Sequence, residues 1–369
     1  MFFRAEPVER REELFDRERE AEDLERGIKR VPITLVLGVR RVGKTSLVKA
    51  VTSGMRRVYI DLREFEWRRE IYLDDLLDKL RLALPRDRRL LDLLSAIEGV
   101  SVAGFEVKFR RGNERLALNR LFETLNEWGE SEGEPVVVVL DEAQELAKLA
   151  DGDFLPLLAW AFDNLHFVKF VLTGSKAGLL YQFLRLDDAE SPLYGRFMWK
   201  VELGPLPRNL AEEFLRTGFA KEGLAVGDDV VERAVEELDG IIGWLAYFGL
   251  RVVQSRDASK ALEETVQEGM RLVWDEFCRF LRFEGINEEL VLDMLELLTV
   301  QPSTADEVAE TVGRLRGADL GAREVLKQLV NWGYLREEGG KYLIADPLLA
   351  KAVKNYAGCP PATSNSAYT

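Results

Sequence analysis

ITLVLGVRRVGKTSLVKAV, residues 33–51, is the stretch on which the fold turns. Ile33 to Leu37 is a short apolar run rich in β-branched residues, which predicts a buried strand, and Leu47 to Val51 begins a helical pattern. Between them Gly38 to Thr45 reads GVRRVGKT, an instance of GxxxxGK[ST] in the strand–loop–helix setting that its chemistry needs. Gly38 and Gly43 let the chain curl so that main-chain N–H groups point inward at a phosphate, and the helix behind them offers its positive end to the same anion. Lys44 adds a mobile charge near the β- and γ-phosphates, and Thr45 offers a hydroxyl to Mg²⁺. Val39, Arg40, Arg41 and Val42 inside the loop, and Ser46 after it, complete the expected nucleotide contacts, with Arg40 and Arg41 facing either a phosphate, a partner or solvent.

Outward from this stretch, further runs at Val58 to Leu62, Val136 to Leu140, Phe167 to Leu172 and Trp199 to Leu203 alternate with helical segments. Such unalternated apolar runs suit a parallel sheet buried on both faces, so the first 205 residues read as a doubly wound α/β domain. Residues 9 to 30 read as one amphipathic helix, and Val100 to Phe109 as a β-hairpin turning at Ala103-Gly104. In VVVVLDEAQ, Asp141 sits at a strand end as the second anchor for Mg²⁺, and Glu142 is placed to orient or deprotonate the attacking water. Thr173 and Ser175 leave the next strand either as sensors of the γ-phosphate or as ordinary turn formers. Arg196, in SPLYGRF, is a guanidinium that reaches a phosphoryl charge in its own subunit or a neighbour's, or else makes a surface ion pair; of the two catalytic placements the first is favoured, because strong acidity opposes self-association.

From Asn209 the strands give way to helices: 206–284 reads as a helical lid, and 285–356 as three helices and a hairpin, the pattern of a winged helix. Residues 357–369 read as a disordered tail. The composition removes several alternatives. Two cysteines, Cys278 and Cys359 (the second in a Pro/Ser-rich tail), exclude a disulfide framework and a Cys-built zinc site, and a single histidine, His166, excludes most Ser–His and Cys–His catalysis. The charged N-terminus and the lack of a long apolar run point to a cytoplasmic protein without a membrane segment. A net charge of −14 opposes wholesale contact with nucleic acid. Within 287–350, six bases face twelve acids, which favours a protein partner over DNA for the winged helix.

FDREREAEDL (residues 15–24), GVRRVGKTSL, YIDLR, VVVVLDEAQEL, LTGSKAGLL, SPLYGRF, DGIIGWLAYFG and DPLLAKAV together resemble the archaeal-type P-loop ATPases, a branch of the AAA+ and STAND-like ATPases. The resemblance implies a five-stranded sheet of order 5-1-4-3-2, a helical lid and a C-terminal winged helix. It also implies ATP and ADP as ligands, slow hydrolysis with Mg²⁺, and adenine contacts from the segment around Phe15 to Arg17. In the lid, Gly240-Ile241-Ile242 stands where the family carries Gly-x-Pro, so Ile242 replaces the expected proline against the base. The expected function is an ATP-driven switch; the alternative is an ATP-gated regulator that binds nucleic acid through its winged helix. The sequence leaves the oligomeric state open.

Overall fold

The computed structural model describes residues 1–96, 100–104, 106–109, 114–316 and 321–360. They fall into two compact units, Glu6–Gly204 and a second made of Met1–Ala5 with Pro205–Thr369. The first five residues thus belong with the C-terminal half, an attachment to which the sequence gives no clue.

In the first unit helix α1 (Glu18–Arg30) leads into strand β1 (Ile33–Leu37), which is followed by α2 (Lys44–Thr52), β2 (Arg56–Asp61), α3 (Leu73–Ala83) and α4 (Arg88–Ser95). After the hairpin β3 (Val100–Ala103) and β4 (Glu106–Phe109) come α5 (Glu114–Glu132), β5 (Val136–Asp141), α6 (Leu155–Asn164), β6 (Val168–Gly174), α7 (Ala177–Leu184) and β7 (Trp199–Glu202). Five of these strands form one parallel sheet, β7-β1-β6-β5-β2; counted in chain order within the sheet this is 5-1-4-3-2, as expected. The apolar runs explain themselves once the two faces are seen. Val136, Val138 and Leu140 of β5 pack into a core with α3 to α7, whereas Val137 and Val139 face Leu24, Ile28, Leu47 and Val48 of α1 and α2. A strand covered on both sides has no polar face to alternate with.

The single helix expected over 9–30 is instead a short 3₁₀ turn, Arg11–Glu13, and then α1 from Glu18. The chain breaks at Asp16, whose φ of 48° lies in the left-handed region and interrupts a helical run. Apolar spacing across Leu14 and Phe15 carries over such a break, so periodicity alone does not reveal it.

In the second unit α8 (Arg208–Lys221), α9 (Asp228–Leu238), α10 (Ile242–Ser255) and the long α11 (Ala258–Glu284) precede α12 (Glu288–Val300), α13 (Ala305–Arg316) and α14 (Ala322–Asn331). An antiparallel pair, β8 (Leu335–Glu338) and β9 (Lys341–Ile344), and then α15 (Pro347–Asn355) complete it. Phe3 is fully buried here, its ring 5.2 Å from Phe219 and 5.6 Å from Phe214. The slot exists because Gly218 and Gly249 lack side chains; a Cβ on either would lie 2.2 or 2.3 Å from that ring.

The tail departs from expectation. Cys278 of α11 and Cys359 form a disulfide with Cα atoms 5.5 Å apart. Residues 357–360 are therefore held rather than loose, and Cys359 N–H also donates to Glu288 Oε1 at 2.6 Å. Residues 361–369 of the expected disordered tail lie outside the described residues. The pairing is invisible in sequence because the partners stand 81 positions apart and meet only through the length of α11 and the return of α15.

Candidate functional site

The site forms where β1, β5 and β6 end, at the C-terminal edge where open α/β sheets bind ligands. Gly38 leaves β1 with φ 151°, and a Cβ there would meet the Leu203 carbonyl at 2.3 Å, so no other residue fits. Gly43, at φ 98°, turns the chain into α2, whose N-terminus has no side-chain cap. Its first N–H groups and positive dipole end are left for an anion. Lys44 is buried at the start of α2, and its Nζ donates to the carbonyls of Gly38 at 2.8 Å and Val39 at 2.9 Å. Burial lowers its pKa to about 8 against the opposing pull of Glu142 and Asp141. The loop is thus folded around its own lysine. Arg41 adopts φ 65°, and Arg40 reaches out of the loop to Glu66. Ser46 continues the first turn of α2.

Asp141 closes β5 and is buried. Thr45 Oγ1 donates to its Oδ2 at 3.1 Å, the Tyr59 hydroxyl to the same oxygen at 2.5 Å, and Thr173 to Oδ1. Burial, reinforced by the Asp141 charge, raises the phenol of Tyr59 well above its ordinary pKa and keeps it a donor. Thr45 and Asp141 therefore stand together as hard oxygen donors, which is the chemistry Mg²⁺ selects. Among the described residues no cluster of three His, Cys, Asp or Glu forms a self-sufficient metal cage. A partial protein set fits an ion that keeps waters and binds phosphate oxygens.

Glu142 follows with φ 60° and ψ 51°, a left-handed conformation that costs a non-glycine residue about 1–3 kcal/mol and marks a position held for another purpose. Its N–H donates to Thr173 Oγ1 at 3.0 Å. Its Oε2 accepts from Ser175 N at 3.0 Å, Ser175 Oγ at 2.7 Å and Gln144 Nε2 at 2.7 Å. Burial pushes this carboxyl up, but Lys44 and the Gln144 and Ser175 donors prevail and hold it below the usual range. The structure thus separates two residues that the sequence treats alike: Thr173 supports Asp141, and Ser175 supports Glu142.

Lys44, Thr45, Asp141, Glu142, Thr173 and Ser175 are brought together; Arg196 is not. It lies just before β7, whose Trp199 is level with Thr34 near the start of β1, so it stands at the strand-beginning edge, opposite the loop. There it pairs with Asp163 at 2.6 Å. Four to five residues of strand, at about 3.3 Å each, lie between its level and the loop. This overturns the preference for action in its own subunit. Arg17 is buried, donating to the Gly204 carbonyl at 2.6 Å and pairing with Glu20 at 2.7 Å, while Phe15 is half-buried. Ile242 opens α10 in the second unit, and Ile241 before it is buried there. Two participants had no role assigned from sequence: Tyr59 and Gln144. Tyr59 is two positions before the β2 partner of Asp141, so period-two alternation in neighbouring strands is the signal that finds it.

The model of a family described as an ATPase domain predominantly from Archaea matches residues 14–248. A Walker-type ATPase of Pyrococcus abyssi is similar over 96% of this chain and 100% of its own, with 32% identity and a TM-score of 0.82. The ORC2 protein of Aeropyrum pernix, solved in ADPNP and ADP complexes, shares the fold with a TM-score of 0.60 over 96% of each chain at 14% identity. No curated protein matches the chain.

Proposed function

Because the chain belongs to the archaeal ATPase family, we propose that it binds Mg·ATP at the Gly38–Thr45 loop and hydrolyses it slowly, using the nucleotide state as a switch. The observation that carries this is the convergence on one spot of an uncapped helix N-terminus, a buried lysine and two adjacent carboxylates with different partners. Lys44 exchanges its two loop carbonyls for β- and γ-phosphate oxygens, which are better acceptors for a buried ammonium. Thr45 and Asp141 would hold Mg²⁺, which would supply charge neutralisation on the phosphates. Glu142, kept ionised and aimed by Ser175 and Gln144, orients water for in-line attack on the γ-phosphate and takes its proton. Phe15 and Arg17 are the proposed adenine contacts. The reading places the protein in the cytoplasm, where ATP is; among the described residues no helix is long and apolar enough to cross a membrane.

Arg196, if it serves catalysis, serves a neighbouring subunit, because its own loop is at the other edge of the sheet. The three helices and hairpin of 288–344 form a winged helix that contacts protein rather than DNA. Four of its six basic residues are engaged by acids: Arg314 by Glu310, Arg316 by Asp293 and Glu289, Arg323 by Asp306, and Arg336 by Glu338.

The test is a pair of variants. Lys44→Ala abolishes tight Mg·ATP binding in calorimetry, whereas Glu142→Gln keeps ATP bound and stops turnover. Unchanged affinity in the first refutes the site, and native turnover in the second refutes the role of Glu142. Turnover that rises on adding duplex DNA would replace the switch by the nucleic-acid regulator.

A further inference from the structure

Beside the phosphate loop lies a run of alternating charges that the hydrolysis reading leaves unused. Arg40 pairs with Glu66, which follows β2. Glu66 Oε1 lies 2.9 Å from Nζ of Lys176, two residues beyond β6, and the same Nζ lies 3.7 Å from Glu145 Oε1 in the turn after β5. Glu145 Oε2 in turn pairs with Lys148 at 2.5 Å. Lys176 and Glu145 are almost wholly buried, with side chains 2% exposed. Burial lowers the Lys176 pKa while Glu66 and Glu145 push it back up. Buried ions are retained at a large desolvation cost, and here they do not bridge elements at random. The groups come from the ends of β1, β2, β5 and β6, the four strands whose ends surround the site.

Gln144 joins this run to the water-activating carboxylate. Its Nε2 donates to Glu142 Oε2 at 2.7 Å and reaches Glu145 Oε1 at 3.3 Å. The two hydrogens of one amide nitrogen thus bridge two carboxylates, Glu142 held closely and Glu145 loosely, and the loosely held oxygen of Glu145 is the one that Lys176 faces. We propose that Lys176 is a positioning residue for hydrolysis: by drawing on Glu145 Oε1 it keeps the shared Gln144 amide close to Glu142, and through Glu66 it ties that arrangement to Arg40 in the phosphate loop. This rests on the reading of Glu142 given above. Without the ammonium, Glu145 Oε1 pulls the shared amide toward itself, and the bond that fixes the direction of Glu142 lengthens. Nucleotide affinity should change little in Lys176→Met, since Lys44, Thr45 and Asp141 take no part in these contacts; Arg40 does, so the Glu66→Gln double variant is compared by kcat at saturating Mg·ATP.

The experiment compares Lys176→Met with two double variants of equal charge balance, Lys176→Met/Glu145→Gln and Lys176→Met/Glu66→Gln. All are assayed with Mg·ATP at a temperature where melting curves show them folded. Lys176→Met lowers kcat about tenfold with the Kd for Mg·ATP within about twofold of native. Removing the competing carboxylate in the Glu145→Gln double variant returns kcat to within about threefold of native. The Glu66→Gln double variant restores the charge balance but leaves the competitor, so its kcat stays low. If Lys176→Met does not fold, the contrast between the two doubles still decides. Equal kcat in both doubles, or native kcat in Lys176→Met, overturns the proposal and leaves the hydrolysis reading standing. A native protein that binds Mg·ATP without turning it over overturns both.

Discussion

Replacing Cys359 by serine is expected to destabilise the second unit by about 4.5 kcal/mol. The figure comes from the 81 residues between the linked cysteines, since tying the ends of so long a loop removes about 15 cal/mol/K of chain entropy from the unfolded state. Cys359 is the better position to change, because Cys278 is fully buried and a serine there would also bury a hydroxyl. The folded tail keeps its other ties: Trp274 Nε1 to the Gly358 carbonyl at 3.3 Å and Arg282 to that of Pro360 at 2.8 Å. The loss is therefore carried by the unfolded chain and not by contacts in the native one. Urea titration followed by tryptophan fluorescence measures it, since Trp274 and Trp332 lie in this unit. The midpoint should fall and the slope steepen, because an unlinked chain exposes more surface when it unfolds. By the usual scaling the melting temperature drops by roughly 9–18 °C. Native protein in excess reductant should behave as the variant does. A change below about 1 kcal/mol, or an unaltered slope, refutes the chain-entropy account.

Three further outcomes follow from burial. With Lys44 near pKa 8 in the free loop, phosphate binding restores its proton, so Mg·ATP affinity should fall about tenfold between pH 7 and pH 9. Calorimetry in buffers of different ionisation enthalpy should show nearly one proton taken up at pH 9, and none taken up would refute the burial of that charge. In the nucleotide-free protein the same depression, from 10.5 to about 8, makes the contribution of Lys44 to stability rise with pH across that window, because the unfolded chain holds the proton longer. Phe3→Ala leaves an unfilled slot and should cost the second unit about 3–5 kcal/mol in the same urea assay; native stability would show that the slot closes by itself.

The parallel sheet and the phosphate loop were legible because their physics is local. A strand buried on both faces must be apolar throughout, and a chain curled around a phosphate needs glycine where a Cβ would strike the Leu203 carbonyl. Asp141 and Glu142 were legible from the valine run that precedes them. What was hidden depends on register and return paths. Tyr59 meets Asp141 across a strand pair, and Glu145 meets Lys176 from the end of a different strand. Arg196 looked catalytic from its residue type; its place at the far edge follows only from the level at which β7 pairs with β1. Helix α15 carried a signal that was passed over: Asp346 followed by Pro347 is a cap and first turn, and the Asp346 carboxylate does accept from Leu348 N at 2.8 Å.

Because Met1–Ala5 belongs to the unit that otherwise starts at Pro205, the backbone passes between the units twice, at Ala5–Glu6 and at Gly204–Pro205. A single proteolytic nick at either crossing would cut the chain without parting the pieces. The second crossing begins one residue beyond Leu203, whose carbonyl lies against Gly38, so the Gly38–Thr45 loop and one of the two crossings share a few atoms of backbone. A fragment trimmed to the family match at residue 14 would keep that whole loop but lose one crossing, and with it the phenyl ring that plugs α8 and α10.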